Sequence, residues 1–68
     1  MPPTANEPSL GEVYFEFTAI GHSVKVVAVH ATTGLEVSAV APAGAARADL
    51  QRLALQKLKA RLASDQNR

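Results

Sequence analysis

The run Val24-Lys25-Val26-Val27-Ala28-Val29 carries apolar side chains on both sides of a strand pleat and lies midway between two other strand-like runs. A strand apolar on both faces is normally central and covered twice. A chain of 68 residues makes one domain at most. It can cover one face of a small sheet with a single helix, so whatever meets the other face becomes the functional question.

The alternation in Glu12 to Thr18 supplies the first neighbour of that strand. Val13, Phe15 and Phe17 fall on one side and Glu12, Tyr14, Glu16 and Thr18 on the other, the period of a half-buried strand. Ile20-Gly21-His22-Ser23 suits a two-residue hairpin turn with glycine at the first central position, where positive φ is needed. The turn fixes a register: Ala19 opposite Val24, Phe17 opposite Val26, Phe15 opposite Ala28, Tyr14 opposite Val29. A slip of one residue moves both phenylalanines to the wrong face. Ala31-Thr32-Thr33-Gly34 reads as a second turn with Gly34 left-handed, and Leu35 to Val40 as the third strand.

Pro42 and Gly44 mark 41–45 as a connector. Arg47 to Ala63 then reads as a helix, free of proline and glycine, with Leu50, Ala54, Leu58 and Leu62 stacked at spacing four. Asp49 suits the positive end of the helix dipole, whereas Ala46 supplies no capping oxygen. Leu53 lies about 60° to one side of Leu50 and Leu55 about 140° to the other, a wider apolar arc than one small sheet requires. The expected fold is α+β: a three-stranded antiparallel sheet, order 1-2-3, followed by a C-terminal helix on one face (β-β-β-α). Residues 11–63 form the domain, with disordered tails at 1–10 and 64–68.

Composition narrows the chemistry. With 47% hydrophobic and 19% charged residues the chain is too apolar for disorder, yet it has no apolar run long enough for a membrane span. The absence of cysteine excludes disulfides and thiolate zinc sites, which leaves oligomerisation as the staple for a thin core. Residues 1 to 9 hold three prolines and neither a basic cluster nor an apolar segment, so no signal peptide is expected and the location is read as cytoplasmic. Glu7, Glu12, Glu16 and Glu36 against Lys25 leave residues 1–46 at −3. Arg47, Arg52, Lys57, Lys59, Arg61 and Arg68 against Asp49 and Asp65 leave 47–68 at +4. The two parts attract, within one chain or between copies.

The second sheet face carries Tyr14, Val27, Val29 and Val40 among Glu12, Glu16, Thr18, Lys25, Glu36 and Ser38. Isolated exposed valines are ordinary in strands, but an apolar centre with a charged rim is how interfaces are built. A homodimer through Tyr14, Val27, Val29 and Val40 is therefore expected, packed face to face, paired at a strand edge, or intertwined by helix exchange across the hinge Pro42 to Gly44. The rival reading is nucleic-acid binding through phosphate contacts at Arg52, Lys57, Lys59 and Arg61. The three-strand-then-helix order looks like the last part of a double-stranded RNA-binding domain, without that family's first helix or lysine cluster. No catalytic, metal or cofactor site is expected, nor any small-molecule ligand. His22 falls in the first turn and His30 at the far end of the second strand near Val13, and a lone histidine at a turn is usually just solvated. Glu12 and Glu16 stand about 13 Å apart at 3.3 Å per residue, too far for a carboxylate pair.

Gly11-Glu12-Val13-Tyr14-Phe15-Glu16-Phe17, Val24-Lys25-Val26, Thr33-Gly34 with Glu36-Val37-Ser38, Pro42, and Leu53-Ala54-Leu55 with Lys57-Leu58 span nearly all of residues 11 to 62. In this order they resemble a family of very short alphaproteobacterial proteins classed only as a domain of unknown function. The resemblance implies a bacterial cytosolic protein and brings no activity or catalytic residue with it. Such proteins often carry a hydroxyl residue before the helix, where this chain has Ala46.

Overall fold

The computed structural model describes residues 4–7 and 10–66. Four strands, β1 (Thr4–Glu7), β2 (Gly11–Ile20), β3 (Ser23–His30) and β4 (Glu36–Pro42), precede one helix, α1 (Arg47–Gln66). They form one antiparallel sheet in the order β1-β2-β3-β4. The three expected strands are β2, β3 and β4, with β3 central among them and the helix packed on one face.

The hairpin turn sets the register as the sequence implies. Gly21 has φ 58° and, among the described residues, no non-glycine residue has positive φ, the pattern of a type II′ turn. Phe17 pairs with Val26, Phe15 with Ala28 and Tyr14 with Val29. At the other end of β3, Gly34 has φ 77°, and the loop closes through His30 N–H to Leu35 C=O at 2.9 Å and Gly34 N–H to His30 C=O at 2.8 Å.

Period-two alternation then sorts the side chains. Val13, Phe15, Val26 and Ala28 are fully buried on the helix face, with Ala39 nearly so, and Leu50, Ala54 and Leu58 close over them. Each large side chain sealed in this way contributes about 1.5–3 kcal/mol through removal from water. The stripe at spacing four is therefore the helix's inner face. Leu62, Leu55, Phe17, Val24 and Val37 pack around its margin. The helix lies mainly over β3 and β4.

Three boundaries differ from the sequence reading. The segment 1–10, expected as a tail, contributes Thr4–Glu7 as a fourth strand, registered Thr4 to Tyr14, Ala5 to Val13 and Asn6 to Glu12. Residues 1–3, 8, 9, 67 and 68 of the two expected tails lie outside the described residues. The helix runs past Ala63 to Gln66, because 64–66 contain no breaker. Ala41 and Pro42 belong to β4, with Pro42 opposite Ser23. The segment expected as a hinge, Pro42 to Gly44, lies in a bonded turn: Ala43 N–H donates to His22 C=O at 2.9 Å and Ala45 N–H to Pro42 C=O at 3.0 Å. Ala46 is the N-cap, its carbonyl accepting from Leu50 N–H at 3.1 Å.

Candidate interaction surface

Because α1 covers one side of the sheet only, the side chains of opposite parity form a bare face. The register lays them in rows across the strands: Thr4, Tyr14, Val29, Glu36; then Glu16, Val27, Ser38; then Thr18, Lys25, Val40. Val27, Val29 and Lys25 are half-buried by their strand neighbours alone, whereas Tyr14 is 37% and Val40 60% exposed. The four residues expected to form a contact face therefore do share one surface, with Glu12, Glu16 and Glu36 around it. Tyr14 donates its hydroxyl to Glu12 Oε1 at 2.8 Å. That bond, then the Glu12 charge and slight desolvation, raise the phenol above its ordinary 10.0. The Tyr14 ring is thereby tethered along its own strand.

The four basic helix residues do not gather. At 100° per residue, Arg52 and Lys59 lie about 20° apart on one flank, and Lys57 and Arg61 about 40° apart roughly opposite. Arg52 is also engaged by Asp49 at 3.3 Å, and Lys57 Nζ donates to the Ser38 carbonyl of β4. Arg47, by contrast, reaches over the Phe17 ring at 5.0 Å, capping the core at the start of the helix.

His22 is exposed in the hairpin turn, and His30 is 6% exposed on the helix face. His30 Nε2 donates to the Leu10 carbonyl at 2.7 Å and Nδ1 meets Thr33 Oγ1 at 2.8 Å. A carbonyl only accepts, so Nε2 carries a proton, while the Thr33 hydroxyl can serve Nδ1 as either donor or acceptor. Thr33 Oγ1 in turn accepts from Leu35 N–H at 3.2 Å. Leu10, His30, Thr32, Thr33, Lys59 and Leu62 border an open groove of about 530 Å³. Both ring nitrogens are already engaged, so His30 ties the β3–β4 loop to the start of β2. Parity with Val24, Val26 and Ala28 was the signal that placed it inward. Among the described residues no three of His, Cys, Asp and Glu gather to hold a metal ion, and no helix is long and apolar enough to cross a membrane.

An α+β domain with one covered and one bare sheet face is the class these features define. The family described as Domain of unknown function (DUF6898) matches residues 10–65, and the chain belongs to it. No curated protein and no solved structure matches the chain.

Proposed function

We propose that the protein is a small non-enzymatic interaction module, cytoplasmic as its resemblance to the alphaproteobacterial family implies, that works as a homodimer and uses its bare sheet face as a contact surface. One observation carries the reading: Tyr14, Val27, Val29 and Val40 lie together on the face that α1 leaves open, with carboxylates at the rim. An apolar centre with a charged rim is interface anatomy. A domain this small buries only about 60% of the surface its unfolded chain exposes, so a second copy adds stability the single chain lacks. Helix exchange is the less favoured geometry, since it breaks the two bonds that close the turn after Pro42.

Light scattering at micromolar concentration tests the reading, with a mass of two chains as the expected result. A protein that stays monomeric, together with a Val27→Lys variant of unchanged stability and solubility, removes it.

A further inference from the structure

We infer that two copies join along the free edge of β4, making one continuous eight-stranded sheet with the two bare faces side by side. The inference rests on the homodimer reading alone: it places the contact between copies at the strand edge, and the two bare faces join into one wider surface that stays open.

The edge itself is the first observation. His30 N–H bonds to Leu35 C=O and Ala43 N–H to His22 C=O, so the odd-numbered residues of β4 bond inward to β3. Glu36, Ser38, Val40 and Pro42 therefore turn their backbone groups outward. Pro42 loses nothing there, because its missing N–H falls on the open side. Lys57 Nζ on the Ser38 carbonyl is the one bond to this edge from outside the sheet among the described residues.

The helix flank is the second. Lys57 marks the side of α1 that overhangs the edge, and Leu53, one turn earlier on that side, is 44% exposed. With α1 over β3 and β4 and strands about 4.8 Å apart, a two-fold axis at the edge sets the two helices about 10 Å apart. Packed helices lie about 8–10 Å apart. Leu53 then faces the helix of the second copy rather than water.

Charge fixes the register. Outward groups pair only with outward groups, and the antiparallel two-fold pairing of Ser38 with Ser38 of the second copy places Glu36 opposite Val40 of that copy. Val40 lies beside Lys25 on β3, so each Glu36 meets a lysine across a valine, twice by symmetry. Shifting the pairing toward Pro42 costs ladder bonds, since proline has no N–H to give. Forming the ladder displaces Lys57 from Ser38 and brings the two ammonium groups near the axis. Lys57 is thus a guard on the edge, the device by which sheets limit edge pairing, and it sets how tightly the copies bind.

A cross-linking experiment tests this, because the chain has no cysteine of its own. Ser38→Cys is expected to form a disulfide-linked dimer under mild oxidation on the order of a hundredfold faster than Ile20→Cys, the reaction being intramolecular within the dimer. Ser38→Pro, which removes no bond within one chain, is expected to abolish dimerisation. Lys57→Ala is expected to tighten it about three- to tenfold. Equal cross-linking rates at the two positions overturn the inference, as does a folded Ser38→Pro variant that still dimerises. Should Ser38→Pro not fold, the cross-linking rates decide alone. Loss of the dimer in Val27→Lys with retention in Ser38→Pro moves the contact to the sheet face and leaves the homodimer standing. A wild-type chain that is monomeric throughout removes the homodimer itself.

Discussion

Phe15 has no exposed surface and sits where β2 meets β3 beneath the helix. Phe15→Ala removes about 3–5 kcal/mol, against a whole-domain stability of about 0.05–0.15 kcal/mol per residue. Circular dichroism of that variant should show no cooperative thermal transition. His30 matters through its bonds. His30→Ala takes the donor from the Leu10 carbonyl and leaves the Thr33 hydroxyl only its bond from Leu35 N–H, a cost of about 1–3 kcal/mol that urea denaturation should register. Tyr14 reads the bare face directly, being the one tyrosine of the chain. Glu12 raises its phenol above 10.0 in the folded state. A folded value above the unfolded one favours folding while the group is protonated, so this contribution is complete below pH 10.0 and is lost as pH rises through the folded value. Absorbance titration should show Tyr14 ionising later than a free tyrosine, and Glu12→Ala should bring it back toward the ordinary range.

At the scale of elements, the turns decide more than the strands do. Gly21 and Gly34 supply the two positive-φ positions that bracket β3, and alternation around them fixes which valines meet the helix. Those features were legible because a hairpin register follows from local conformation. Strand β1 was not, since Thr4-Ala5-Asn6-Glu7 has neither alternation nor β-branched content beyond Thr4. Its pairing with residues 11–14 of β2 makes it a strand. The helix start was legible in outline, with Ala46 an N-cap lacking a side-chain acceptor. Ala46→Asp should therefore stabilise the domain by about 0.5–2 kcal/mol, with a rise in Tm of about 4–8 °C per kcal/mol for a chain of this size.

At the scale of the whole molecule, the sheet separates the carboxylates of the bare face from the outer surface of the helix. The sheet therefore stands between Glu12, Glu16 and Glu36 and the outer surface of the helix within one chain. Along the β4 edge the relevant charges are fewer: Glu36 with Lys25 favours pairing, and the two Lys57 groups oppose it. In the proposed edge dimer the two Lys57 groups near the axis repel more strongly than Glu36 attracts Lys25 across a valine. Raising salt therefore screens the repulsion, and sedimentation velocity should show dimerisation strengthening from low to moderate ionic strength. The Lys57→Ala variant should lose that dependence.

Local chemistry in the sequence determined the β2–β3–β4 register, the inner stripe of the helix and the two faces of the sheet, since alternation, glycine turns and spacing four act over a few residues. Only the tertiary structure decided that Thr4–Glu7 joins the sheet, that His30 is sealed by Leu10 and Thr33, and that Lys57 rests on the outer edge of β4. Each of these depends on where separate segments meet in space. The strand Val24 to Val29 is covered once by its own helix, and its other side stays half-buried on the bare face.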